Sequence, residues 1–145
     1  MRRHRNLALL IVVGCVGVVL AQTVEPLPKK LSGRWTVVVP GGQTYTDTMS
    51  VVLDVPDGVG PVTGRFTSRG VGCGSQDEPL VGTWDGNQLR FETLARPNVN
   101  VQRMNADCGT GRLTVVLTRK SGQSTFEGES RRDGVPTPAQ VTLAP

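Results

Sequence analysis

At 145 residues, with 16 Lys+Arg against 12 Asp+Glu and one histidine, the chain has the size of a single domain. Arg2, Arg3, His4 and Arg5 all lie at the extreme N-terminus, and setting them aside leaves 13 cations against 12 anions. That balance excludes the cationic excess a nucleic-acid partner requires. The missing histidine excludes Ser-His and Cys-His nucleophiles and the commonest transition-metal ligand, so neither an enzyme nor a cofactor is expected.

After Met1–Arg5 the stretch from Leu7 to Leu20 carries no charge. It is roughly 14 residues long, short of the ~20 that span a bilayer as a helix. With Val19-Leu20-Ala21 offering small-enough residues at −3 and −1, residues 1–21 read as a signal peptide cleaved before Gln22. A periplasmic or secreted location follows. Val12-Val13-Gly14-Cys15 is similar to a bacterial lipobox, and lipidation of Cys15 would instead anchor the chain in the envelope. Valine at −3 and the apolar Val16–Leu20 depart from that pattern, so plain export is the preferred reading. Membrane contact is expected only through a lipidated Cys15.

Gln22–Lys30, containing Pro26 and Pro28, reads as an extended leader into a domain over residues 31–145. From Leu31 onward short runs of alternating hydrophobicity are separated by turn residues, which is the period of strands. Strands are expected at Gly33–Val39, Thr46–Val55, Val62–Ser68, Leu80–Trp84, Gln88–Leu94, Val99–Met104, Gly111–Thr118 and Ser124–Arg131, with a short closing strand at Gln140–Leu143. Pro40-Gly41-Gly42, Pro56-Asp57-Gly58, Asp85-Gly86-Asn87 and Ser121-Gly122 supply the turn chemistry that pairs successive strands antiparallel. The fold expected is all-β, a single up-and-down meander of about eight strands forming a closed or nearly closed barrel.

Four segments share the form apolar-x-Gly-x-(usually aromatic): Leu31–Trp35, Val62–Phe66, Leu80–Trp84 and Phe126–Ser130. Strand alternation puts the apolar residue, the glycine and the aromatic on one face, where glycine makes room for a neighbour or a bend. The same parity turns inward Trp35, Val37, Val39, Met49, Val51, Leu53, Val55, Val62, Phe66, Leu80, Trp84, Leu89, Phe91, Val99, Val101, Leu113, Val115, Leu117 and Phe126. Their polar partners, among them Arg34, Thr48, Asp54, Arg65, Arg90, Glu127 and Glu129, face water.

Cys73 and Cys108 are the cysteines that remain after export, an even count in an oxidising compartment, and are expected to pair. Closing a loop of about 35 residues contributes roughly 3–4 kcal/mol in the chain-entropy picture. Arg103 is turned inward by the parity of Val99 and Val101, where a cation requires a partner or an opening to water. With Trp35, Tyr45 and Trp84 it forms a candidate site for an anionic or aromatic small molecule; the alternative is a strand that ends at Gln102 and frees Arg103 to solvent. Gln76-Asp77-Glu78 reads as a solvated acidic turn, since no calcium-loop pattern accompanies it. Arg119-Lys120 and Arg131-Arg132 read as charges guarding a strand edge against aggregation.

Leu31-Ser32-Gly33-Arg34-Trp35-Thr36 resembles the Gly-x-Trp entry strand of calycins, the up-and-down barrels of lipocalin and avidin type. Val62-Thr63-Gly64-Arg65-Phe66 is similar to the next repeat of avidin-like chains. The resemblance implies a ligand-binding barrel but does not carry biotin across, because Val37 stands where those binders have Asn and only two tryptophans are present. A second resemblance, to the bacterial metalloprotease-inhibitor barrels, rests on the same Leu-x-Gly-x-Trp start and one disulfide, and implies a leader that reaches into an enzyme. The function expected is therefore a non-enzymatic exported protein binding an unknown small ligand or protein, with a secreted protease inhibitor acting through its leader or a loop as the alternative.

Overall fold

The computed structural model describes residues 24–38, 41–55, 57–69, 75–93, 111–134 and 137–145. These form β1 (Lys30–Val38), β2 (Thr44–Asp54), β3 (Gly60–Arg69), β4 (Ser75–Trp84), β5 (Gln88–Thr93), β6 (Leu113–Arg119), β7 (Phe126–Arg132) and β8 (Ala139–Ala144). Each strand pairs antiparallel with the next, and β8 returns to pair with β1, so the expected meander is a closed barrel. The short closing strand expected from the sequence is a full member, running from Ala139 rather than Gln140 and laddered on both sides. The strand expected at Val99–Met104 lies outside the described residues, as do Cys15, Cys73, Arg103, Cys108 and the signal segment 1–21.

Stepping across the ladders from Val62 through Gly82, Phe91, Val115, Ser130 and Ala139 leads to β1 beside Val37; stepping the other way leads to the chain beside Leu27. One circuit thus climbs about ten residues, the stagger of a steeply tilted barrel of eight strands, whose interior is filled by side chains or holds one small guest. Call the end where β1 begins the lower end. The β2–β3, β4–β5 and β6–β7 connections lie there, and the other connections leave from the upper end. The strand ends Arg69, Ser75 and Thr93 belong to that upper end.

Strand parity identifies the core well. Met49, Val51, Leu53, Val62, Phe66, Leu80, Trp84, Leu89, Phe91, Leu113, Val115, Leu117 and Phe126 are buried in one cluster. Leu27, Leu31, Val141 and Leu143 join them, the last two because β8 is a central rather than a terminal strand of a closed sheet. The four glycines of the repeat explain the repeat itself. A Cβ on Gly33, Gly64, Gly82 or Gly128 would come within about 2 Å of the backbone carbonyl oxygen of Thr142, Val52, Arg90 or Val116 respectively. At these points the neighbouring strand bends over the inner face so closely that only a residue without a side chain fits.

At the β4–β5 turn the Asp85 carboxylate accepts from the Gln88 and Asn87 backbone N–H groups at 2.6 and 2.9 Å. These bonds, Gln88's first, hold its carboxyl below the ordinary value of 3.8. Because the folded value is depressed, the turn's stabilisation is present above that ordinary value and is lost as the pH falls through the lowered one.

Candidate functional site

The interior divides into two chemically distinct halves. In the lower half Trp84, Phe126, Leu89, Leu53 and Leu31 are buried, and Trp84 tilts against Phe126 with ring centroids 6.0 Å apart. Arg119 ends β6 and continues the inward alternation of Leu113, Val115 and Leu117, so its guanidinium enters the barrel floor. Its Cζ lies 5.0 Å from the ring centroids of both Trp84 and Phe126.

That guanidinium holds the leader down. Nη1 donates to the Glu25 carboxylate at 2.8 Å and to the Glu25 carbonyl at 3.1 Å, and Nη2 donates to the Pro26 carbonyl at 2.8 Å. Leu27 is buried in the core cluster, and the Lys29 carbonyl accepts from the Leu53 N–H at 2.7 Å. Glu25 is 74% exposed, so its ion pair contributes at most about 1 kcal/mol. Burial of the Leu27 side chain, about 1.5–3 kcal/mol, contributes more. Pro26 and Pro28 lack the N–H that would let this stretch join the sheet, so it crosses the lower end as a strap.

The upper half is lined by polar side chains on the same inward face. Asp47 on β2, Ser68 on β3, Thr93 on β5 and Ser130 on β7 are all buried. Glu78 on β4 and Arg132 on β7 are nearly so, with their charged groups 3.8 Å apart, and Arg132 Nη1 donates to the Gly111 carbonyl at 2.8 Å. Trp35 sits among them on β1, its cross-strand neighbours being Asp47 and Val141. Its indole Nε1–H is buried and meets no acceptor among the described residues. Among the described residues no group of three or more His, Cys, Asp or Glu side chains is placed to hold a metal ion.

Of the residues expected to form a site, Trp35 and Tyr45 lie in the upper half. Tyr45 stands at the rim, 42% exposed, with its hydroxyl donating to Gln43 Oε1 at 2.9 Å. Trp84 lies in the lower half under Arg119, so the structure does not bring it to the other two. Arg103 is outside the described residues.

Two readings of charged segments are corrected. Gln76-Asp77-Glu78 is not a turn but the opening of β4; Asp77, at φ +51°, marks a bulge where one extra residue enters β4 opposite Phe66–Ser68, and Glu78 beyond it points inward. The paired basic residues guard no edge, because a closed barrel has none. Alternation sends Arg119 and Arg132 into opposite ends of the interior, while Lys120 and Arg131 face water and pair with Glu127 and Glu129 at 2.9 and 3.3 Å. The inward polar set Asp47, Ser68, Glu78, Thr93, Ser130 and Arg132 is readable in principle. Each lies an even number of residues from an apolar core position on its own strand or its laddered neighbour, but hydrophobicity is the signal that parity follows, and these residues have none. Compared with known proteins, the chain matches no family model, no curated protein and no solved structure.

Proposed function

We propose that this chain is an exported, non-enzymatic binding protein whose barrel takes a small polar molecule into its upper half. The observation that carries the reading is the gathering of buried and nearly buried polar side chains at one end: Asp47, Ser68, Glu78, Thr93, Ser130 and Arg132 share the upper half, whereas Arg119 is the charged side chain described in the floor. Buried charges and hydroxyls stabilise a core no better than apolar groups of the same volume. The lower half shows that this fold is filled well by leucine, valine and aromatic rings. A barrel needing only stability would continue that filling upward.

The lining suits a guest with several hydrogen-bonding groups. Asp47, Glu78 and Arg132 supply both signs of charge, Ser68, Thr93 and Ser130 supply hydroxyls, and the Trp35 indole supplies an apolar face with an unengaged donor. The alternative of a protease inhibitor working through its leader finds less support, since Val24–Lys29 is held against the barrel by Arg119 and Leu27. An inhibitor would have to act through residues before Val24 or through a loop.

Native mass spectrometry of the protein purified as its own cells process it tests the reading. The expected result is a population carrying one small-molecule adduct that collisional activation removes. A mass equal to the polypeptide alone in every preparation, unmoved by an extract of the same cells' metabolites, would contradict it.

A further inference from the structure

The near balance of cations and anions hides a separation of charge on the outer wall. Around β5 to β7 the outward cations are matched: Arg112 pairs with Glu92 at 3.3 Å, Lys120 with Glu127 at 2.9 Å and Arg131 with Glu129 at 3.3 Å. On β1 to β3 they are not. The ladders set Lys30, Val52 and Arg65 in one row across these three strands, Ser32, Ser50 and Thr67 in the next, and Arg34, Thr48 and Arg69 in a third. Rows two residues apart share a face, so all three rows look outward. Lys30, Arg34, Arg65 and Arg69 are exposed at the four corners, and none forms an ion pair among the described residues. Two strand spacings, about 10 Å, separate the β1 pair from the β3 pair, and four residues of strand, about 13 Å, separate the members of each pair. Between them β2 presents short side chains, so the long cationic stems wall a shallow trough with Thr48 and Ser50 on its floor. Thr46 continues the floor upward, and Asp54, beyond Val52, bounds it below. Ser32 and Ser50 have no hydrogen-bond partner among the described residues. Thr48 donates to the Arg69 carbonyl at 3.1 Å, Thr67 accepts from the Asp77 N–H at 3.3 Å, and Arg65 gives one N–H to the Asp77 carbonyl at 3.0 Å.

We propose that this trough binds a linear polysaccharide that bears carboxylates on its sugar units. Three of the four corner cations are arginines, whose planar fork matches a carboxylate with two parallel hydrogen bonds. The hydroxyls between the corners can both donate and accept, which suits the hydroxyls of a sugar ring. Corners this far apart serve separate charges on one chain better than a single small anion. A single-stranded nucleic acid is held by cations together with aromatic platforms for its bases, and none of the residues in the three rows is aromatic. A bilayer surface is engaged by an apolar face that enters it as well as by charge, and Val52 is the one apolar side chain in the rows. The backbone of β1, β2 and β3 is fully committed to its own ladders, so an extended peptide finds no edge to join. The trough lies on the outside of the wall, and its existence does not depend on what the barrel's interior binds.

The test is calorimetric titration of the protein, purified as its own cells process it, with alginate oligosaccharides and with uncharged maltooligosaccharides of the same length. Single-stranded oligothymidylate and phosphatidylglycerol vesicles are titrated alongside. Alginate should bind saturably and weaken about tenfold or more between about 50 and 200 mM salt, because exposed charges are screened. The neutral sugar should bind about tenfold more weakly than alginate or worse at the lower salt. Arg34→Gln combined with Arg69→Gln should weaken alginate about tenfold or more, one carboxylate contact being lost from each side of the trough. Arg112→Gln combined with Arg131→Gln, on exposed side chains of the far wall, removes the same net charge and should change the affinity by no more than about twofold, the share left to long-range attraction. Equal weakening by the two double variants, equal binding of the neutral sugar, or no alginate binding up to about 1 mM at the lower salt would each overturn the proposal. Tighter binding of the oligothymidylate or of the vesicles at the same salt would overturn it too.

Discussion

Trp84→Ala is expected to lower folding stability by about 3–5 kcal/mol, the range for removing a fully buried large aromatic. The indole is 1% exposed, lies against Phe126 and carries the Arg119 guanidinium on its face. Its removal therefore opens a cavity in the floor and withdraws the platform on which the strap's anchor rests. Denaturant unfolding followed by circular dichroism measures the loss. Trp84→Phe, which keeps a ring and removes the unengaged N–H, should cost less than half as much. A loss below about 1 kcal/mol for the alanine variant would mean that the lower half is not a packed core.

Gly128→Ala should also destabilise, by about 1–3 kcal/mol. The direction of the change carries the information. Glycine-to-alanine exchange at an ordinary strand position stabilises slightly, because it restricts the unfolded chain. Here the new Cβ would stand 1.9 Å from the Val116 carbonyl oxygen and 2.9 Å from its carbon, and a backbone atom in a ladder cannot rotate away. Thermal unfolding of the variant checks it; a midpoint equal to or above that of the parent would show that β6 does not bend over β7 at this point.

These two residues also show how far the amino-acid sequence alone reaches. The glycine repeat is visible in it, and strand alternation puts Gly33, Gly64, Gly82 and Gly128 on the inner face, where they lie. The cause, a neighbouring carbonyl within bonding distance of any added side chain, is a property of barrel curvature and has no trace in a single strand. Parity turns Trp84 inward correctly but groups it with Trp35 in one ligand site, because parity states which face a residue occupies and not how far along the barrel it sits. Height follows from register, and register depends on connections outside any one strand.

The charged ends are the least legible part. Arg119 and Arg132 each follow an alternating run whose parity points them inward, but a cation at a strand end reads as solvent-facing unless its partner is known. Arg119's partners, Glu25 and Pro26, are more than ninety positions away in the chain. Arg132's partner Glu78 keeps the parity of Leu80, but it directly follows the bulge at Asp77 in a polar stretch that reads as a turn. The leader reads as an extension because its prolines exclude strand structure, and they do; what holds it in place is a guanidinium supplied by β6.

The claim that polarity in the upper half serves a guest rather than the fold is tested most directly by Ser130→Val, measured for stability and for bound mass in native spectra. If the upper half is room kept for a ligand, valine fills it, the unfolding midpoint holds or rises, and the small-molecule adduct disappears. A variant destabilised by about 1–3 kcal/mol through overpacking, with its bound mass the same as that of the parent, would show that Ser130 belongs to a solid interior.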